Sequence, residues 1–136
     1  GVVVNENCNI GPGARIRPNS IIGQNSKVGN FVEIKNSKIG KKVSISHLSY
    51  VGDAFIGNNV NIGAGTITCN YDGKNKYKTV VKDNVFIGSN SSLIAPLILE
   101  ANSKIGAGSV ITKNIPKSSL AIERSDLKIL RNKRTK

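Results

Sequence analysis

Aliphatic residues recur every six positions along most of this chain of 136 residues. Val4, Ile10, Ile16, Ile22, Val28 and Ile34 open the series. After one five-residue step it resumes at Ile39, Ile45 and Val51, and after a second at Ile56, Ile62 and then Thr68. Beyond an interruption it returns at Ile87, Leu93, Leu99, Ile105 and Ile111. Gly often follows the aliphatic, as at Gly11, Gly23, Gly29, Gly40 and Gly63, and four residues after it the side chain is often small, as at Cys8, Ala14, Ser20, Ser26 and Ser49. An amphipathic helix repeats near 3.6 residues and an ordinary strand at 2, so neither explains this spacing. A short flat strand plus a corner does: one large and one small side chain turn inward, and Gly or Asn bends the chain. Three such sides close a triangular coil of about 18 residues, and stacked coils pair as parallel strands about 4.8 Å apart. The pattern therefore predicts an all-β parallel β-helix shaped as a triangular prism. An ordinary sandwich with strands of similar length does not require so regular a spacing.

The period breaks at Asn70-Tyr71-Asp72-Gly73-Lys74-Asn75-Lys76-Tyr77-Lys78, a polar and basic stretch, and resumes after it. A loop leaving a repetitive scaffold costs little closure entropy and is a usual seat of function. The repeat ends near Ile115, dividing the chain into a β-helix domain over 1–115 and an arm or tail over 116–136. Leu120 to Leu130 mixes apolar and charged residues and fits either a short helix or an extended arm. Arg131 to Lys136 is expected to fray.

Composition agrees. Ile and Val supply 30 residues against 7 Leu, with 17 Asn and 14 Gly. Beta-branched residues suit strands, and Gly and Asn tolerate the positive φ of tight corners. Lys and Arg number 20 against 8 Asp and Glu, a formal net charge of +12, so anionic partners are expected. One histidine and two cysteines leave no zinc site unless another chain supplies ligands, and no metal is expected. Two cysteines are too few for a disulfide scaffold, and no apolar run reaches membrane-spanning length. The expectation is a soluble cytoplasmic chain, with no membrane partner.

Four stretches are more specific than the repeat: Ala14-Arg-Ile-Arg-Pro18, Gly29-Asn-Phe-Val-Glu-Ile-Lys35, His47-Leu-Ser-Tyr50-Val-Gly-Asp53, and Asn59 through Tyr71-Asp72-Gly73. The hexapeptide pattern resembles the bacterial hexapeptide acyltransferases, and these stretches resemble the carboxy-terminal acetyltransferase domain of the bifunctional GlmU family. The resemblance implies a left-handed coil, which the period alone does not supply. It also implies N-acetylation of glucosamine 1-phosphate by acetyl-CoA, in the UDP-N-acetylglucosamine pathway that serves peptidoglycan and lipopolysaccharide. No Gly-rich nucleotide-binding segment is present in this sequence, so uridyl transfer and its magnesium ions are not assigned to it. A start at Gly1 within a repeat suggests an excised domain, and a free-standing acetyltransferase is the alternative.

Residue by residue, the resemblance assigns roles that general chemistry supports. His47 matches the general base; imidazole titrates near working pH, although a lone histidine is otherwise a structural or merely exposed residue. Glu33 matches a nearby acid that orients the imidazole, or is a surface carboxylate. Arg17 and Lys35 match the holders of the sugar phosphate, by planar fork and point charge respectively. Tyr50 and Asn61 match further sugar contacts, against a packing role for Tyr50 and an asparagine ladder for Asn61. Asn70 and Tyr71 match acetyl-CoA positions, and Asn70 helps place the amine or acetyl group. Ser89 matches a donor to the thioester or its tetrahedral intermediate, against a turn serine. Ala64 and Ala107 match positions lining the pantetheine arm, and Arg124 and Lys76 match contacts to the CoA phosphates. Cys69 raises a covalent acyl-enzyme, which direct transfer does not need. Cys8 reads as packing.

A bare prism has flat faces, so the resemblance implies a homotrimer with sites between subunits. The rivals are an acyltransferase for another amino acceptor, a basic nucleic-acid-binding module, and a purely structural solenoid. The nucleic-acid reading lacks aromatic stacking platforms. A carbonic anhydrase of related fold needs three histidines, and this chain has one.

Overall fold

The computed structural model describes residues 1–132 and shows the coil that the period predicts. Three parallel sheets of six, seven and six strands form the three faces of a prism. The first face stacks Val2–Val4, Ser20–Ile22, Lys38–Ile39, Ala54–Ile56, Thr79–Val81 and Leu97–Leu99. The second stacks Asn9–Ile10, Lys27–Asn30, Ser44–His47, Asn61–Ile62, Phe86–Ile87, Lys104–Ile105 and Leu120–Ala121. The third stacks Arg15–Ile16, Glu33–Lys35, Tyr50–Gly52, Ile67–Cys69, Ser92–Ile94 and Val110–Ile111. Leu120–Ala121 thus lies within the segment expected to be an arm, and no helix occurs there among the described residues. The end of the expected frayed tail, 133–136, lies outside the described residues.

The six-residue series points inward and fills the prism. Ile22, Ile34, Ile45, Ile87 and Leu99 are wholly buried, each contributing on the order of 2 kcal/mol. Val4 and Ile10, at the open end, remain 44% and 39% exposed. The small inward serines and threonines are also buried, and their hydroxyls donate to nearby carbonyls: Thr66 to Gly63 at 2.7 Å, Ser91 to Gly88 at 2.7 Å, Ser109 to Gly106 at 2.6 Å. This satisfies polar atoms that burial would otherwise make costly. Among the fully buried side-chain nitrogen and oxygen atoms of the described residues, only Thr79 Oγ1 is left without a partner.

Corners are made mostly by asparagine in the left-handed region, for example Asn7, Asn25, Asn59, Asn84 and Asn102, with φ between 57° and 62°. Asparagine tolerates this region better than other residues with a Cβ. At Gly29 the constraint differs: a Cβ would run into the backbone carbonyl of Ser46 in the next coil. The two five-residue steps fall at the third corner. There Lys35-Asn36-Ser37 and Gly52-Asp53-Ala54 turn with one residue fewer than Arg17-Pro18-Asn19-Ser20. The 70–78 loop leaves from this same corner, one coil further on.

Candidate active site

Two groups of residues flank the third face. The first is at the third corner. Lys35 Nζ donates to Asp53 Oδ2 at 3.2 Å, and Arg17 Nη1 donates to Glu33 Oε2 at 3.1 Å. Asn36 Nδ2 donates to Asp53 Oδ1 at 3.0 Å. Asn70 Nδ2 lies 2.8 Å from Asp53 Oδ2 and 3.2 Å from Tyr50 Oη. The Tyr50 ring lies across Gly52, where a Cβ would collide with it. The sequence thus places a ring, an amide, a carboxylate and an ammonium together over one short strand and its corner.

The loop turns this corner into a cavity. It doubles back as a small hairpin: Tyr71 bridges Lys76 antiparallel, and Tyr77 N donates to the Asn70 carbonyl at 2.8 Å. Its tip is fixed by the Asp72 carboxylate, which accepts from Lys74 N at 2.8 Å and Asn75 N at 2.6 Å. The resulting open cavity of about 570 Å³ is lined by Arg17, Pro18, Asn19, Lys35, Asn36, Asp53, Lys76, Tyr77 and Lys78. A single chain therefore offers more than flat faces here, because the hairpin supplies a wall.

Charge in the cavity is predominantly positive. Burial works against the Lys35 ammonium, but the Asp53 carboxylate outweighs it and holds the Lys35 pKa above its ordinary value. Lys76 faces Lys35, and this neighbouring ammonium pushes the Lys76 pKa down. Burial also opposes the Asp53 charge, yet hydrogen bonds from Asn36, Lys35 and Asn70 prevail and hold its carboxyl below the usual range. Four cations, Arg17, Lys35, Lys76 and Lys78, meet here with Asp53 and the nearby Glu33, an arrangement suited to a phosphate. Lys76, matched in sequence to CoA phosphates, stands with the expected sugar-phosphate ligands instead. Glu33, expected beside the imidazole, is engaged with Arg17.

The second group lies at the corner between the second and third faces. Backbone bonds stack His47, Ala64, Ser89 and Ala107 in one line: Gly65 N donates to the His47 carbonyl at 3.4 Å, Asn90 N to Ala64 at 2.7 Å, and Gly108 N to Ser89 at 2.8 Å. His47 is exposed, and its imidazole takes no hydrogen bond among the described residues. Ser89 and Ala107 are exposed and Ala64 half-buried. Arg124 passes over the far end, its Cδ 3.8 Å from where a Gly108 Cβ would stand. At about 4.8 Å per coil this line runs roughly 14 Å from His47 to Ala107, a track for an extended ligand. Tyr71 projects from the exposed loop, 59% accessible.

Asn61 stands apart from both groups. It sits half-buried on the second face between Ser44 and Phe86, so no asparagine ladder forms around it. Cys69 is half-buried, and burial pushes its thiol pKa up, which makes it a weaker nucleophile. Cys8 packs against the core and its thiol donates to the Gly23 carbonyl at 3.1 Å. Among the described residues, no group of three or more His, Cys, Asp or Glu is arranged to hold a metal ion, and no helix is long and apolar enough to cross a membrane. Sequence reasoning missed Asp53. The available signal was the corner series Asn19, Asn36, Asp53, spaced by seventeen, in which a carboxylate replaces an amide.

Comparison with known proteins agrees with this architecture. Residues 1–88 match the family described as GMPPB C-terminal domain, and residues 78–113 match bacterial transferase hexapeptide (six repeats). The chain is 60% identical over 119 residues to the bifunctional protein GlmU of Thermodesulfovibrio yellowstonii, covering 88% of this chain and 26% of that protein. It is 58% identical over 130 residues to GlmU of Syntrophomonas wolfei, covering 96% and 29%. The chain thus spans between a quarter and a third of the curated relatives it matches. Among solved structures, AntD, an N-acyltransferase from Bacillus cereus in complex with dTDP and 3-hydroxybutyryl-CoA, superposes with a TM-score of 0.80 at 19% identity, over 90% of this chain and 78% of that one. The acetyltransferase domain of PglB from Neisseria gonorrhoeae in complex with acetyl coenzyme A gives 0.66 at 20% identity, over 90% and 54%. These two share the fold, a left-handed β-helix.

Proposed function

Because this chain belongs to the family of the GMPPB C-terminal domain, built from bacterial transferase hexapeptides, we propose that it acetylates the 2-amino group of glucosamine 1-phosphate with acetyl-CoA. The observation that carries this reading is the pairing of two sites along one face. A cationic cavity suited to a phosphate lies at one edge, and an exposed histidine heading a line of small residues lies at the other. The likeness to GlmU proteins supplies the substrates, and acetyl-CoA in the PglB complex fits the same chemistry.

In this mechanism Arg17 and Lys35 hold the sugar phosphate, and Tyr50 contacts the ring. Acetyl-CoA lies along Ala64, Ser89 and Ala107, with Tyr71 beside it and Arg124 at its phosphates. The amine lone pair attacks the thioester carbon while His47 takes a proton from nitrogen. Ser89 donates a hydrogen bond to the oxyanion of the tetrahedral intermediate. Collapse breaks the carbon–sulfur bond, and the CoA thiolate leaves and is protonated. No metal and no protein nucleophile enters, so Cys69 is a bystander. The product belongs to UDP-N-acetylglucosamine synthesis in the cytoplasm.

A homotrimer completes the proposal. Asn61 lies on the second face whereas Arg17, Lys35 and Tyr50 lie on or beside the third, so a site using all of them draws on two subunits. The test is thiol release from acetyl-CoA with glucosamine 1-phosphate. His47→Ala is expected to lose roughly 100-fold or more in kcat. Wild-type release with a different amino sugar, and none with glucosamine 1-phosphate, would assign another acyltransferase. Salt-sensitive DNA binding without transfer would replace the enzyme reading.

A further inference from the structure

The geometry points to Asp53 as a positioning residue that holds Lys35 in place and sets the orientation of the Asn70 amide, turning the Asn70 carbonyl oxygen toward the reacting amine. This inference rests on the acetyl-transfer reading above.

The scaffold does not need a carboxylate at this position. Asn19, Asn36 and Asp53 occupy equivalent slots at the third corner, with φ of 66°, 46° and 50°. Asparagine makes this left-handed turn in the two preceding coils, and it tolerates the region as well as aspartate. Asp53 is nevertheless only 8% exposed, a costly place for a charge unless it is paired and hydrogen-bonded. It is fully engaged: Oδ1 accepts from Asn36 Nδ2, and Oδ2 accepts from Lys35 Nζ and Asn70 Nδ2.

An ionised carboxylate only accepts hydrogen bonds, whereas an asparagine amide has one donating and one accepting end. The end of Asn70 that faces Asp53 must therefore be Nδ2. The other end, Oδ1, takes no hydrogen bond among the described residues, although Asn70 itself is only 7% exposed. It stands where the loop leaves the prism, as an acceptor waiting for a donor. An amine that gives one N–H to Oδ1 keeps its lone pair free for the thioester carbon. Asn70 in this orientation does not serve as an oxyanion donor, which leaves that task to Ser89. The same carboxylate fixes the Lys35 ammonium at the cavity wall, so one residue ties the phosphate end of the acceptor to the amine end.

Asp53→Asn tests this with little risk to the turn, since Asn is the residue that the corner uses elsewhere. Kinetics are measured on the full chain by thiol release. The variant should lose roughly tenfold or more in kcat and raise KM for glucosamine 1-phosphate, as expected for a lost hydrogen bond to a charged group, while KM for acetyl-CoA stays unchanged. In an Asn70→Ala background most of the kcat loss should vanish, because the effect passes through Asn70. An equal loss in both backgrounds, or wild-type kinetics in Asp53→Asn, overturns the inference. A second readout needs no turnover: the Asn70 side-chain amide signals in ¹⁵N-edited NMR should move in Asp53→Asn. Unmoved signals overturn the inference even if wild type transfers acetyl, and moved signals sustain the orienting contact even if the acetyl-transfer reading fails.

Discussion

Lys35 and Asp53, eighteen residues apart in the chain, form an ion pair at 3.2 Å with side chains only 16% and 9% exposed. This pair sits where the cationic cavity meets the base of the loop, and its charge state should be visible in stability. The Asp53 carboxyl titrates below the usual range in the folded chain, whereas an unfolded Asp titrates near about 3.9. Its contribution is therefore fully present above about pH 4 and is lost as pH falls through the lowered folded value. Wild type should melt above Asp53→Asn at pH 7, and the gap should close as the melting series is carried toward pH 2. A gap that persists unchanged in acid would show that the carboxylate charge is not what stabilises this corner.

Gly52→Ala should separate activity from folding. Its Cβ would meet the Tyr50 hydroxyl end and Asn70 Nδ2, so the ring and amide must shift while the inward core residues stay in place. We expect a kcat/KM loss of about tenfold, with a Tm drop of only a few degrees, consistent with overpacking of roughly 1 kcal/mol. Gly29→Ala, which meets the Ser46 backbone rather than a side chain, should lower Tm considerably more. Thermal melts of both variants, read beside their kinetics, make the comparison.

The cavity should recognise the acceptor by its phosphate. Lys35→Ala and Arg17→Ala should each raise KM for glucosamine 1-phosphate by roughly tenfold or more, the expected loss for a hydrogen bond to a charged group. Neither should alter turnover of unphosphorylated glucosamine by a comparable factor. Equal losses on both acceptors would place the phosphate elsewhere.

Lys76 should give the acceptor KM an alkaline limb. Lys35 pushes its pKa below the ordinary lysine value, so the Lys76 cation is the one lost first as pH rises, and phosphate binding weakens from there upward. Lys76→Arg keeps its charge through this range and should move the limb to higher pH. An unchanged KM profile in that variant would remove Lys76 from the phosphate site.

Mixed assemblies test the subunit arrangement. If sites lie between chains, impaired Asn61→Ala and impaired Lys35→Ala chains, altered on different faces, should recover part of the wild-type rate on mixing and reassembly. A fully active monomer at assay concentration, seen by analytical ultracentrifugation, ends the trimer proposal.

The grouping of several candidate residues was legible in the sequence, yet their side-chain pairings were not. Arg17, Lys35 and Tyr50 do gather at the third face, and His47, Ala64, Ser89 and Ala107 do fall in one line. Glu33, by contrast, turns to Arg17 rather than to His47, and Lys76 joins Arg17, Lys35 and Lys78 at the cavity, because the hairpin folds back over its own corner. Nothing local to Lys76 encodes that return: it depends on Tyr77 N reaching the Asn70 carbonyl. Asp53 escaped notice because a single carboxylate in a turn looks ordinary until its three donors are seen around it.

The six-residue period, by itself, determined the coil, its buried aliphatics and its asparagine corners, since the inward or outward direction of each side chain is a local consequence of strand and turn geometry. Which residues stand above one another was decided only by the stacked coils. His47 to Ala64 is seventeen residues, Ala64 to Ser89 is twenty-five, and Ser89 to Ala107 is eighteen, yet all four align. Coil-to-coil hydrogen bonds set that register across unequal chain lengths, and the extra residues of the loop are expelled at the third corner. There they build the cavity wall that no local pattern foretold.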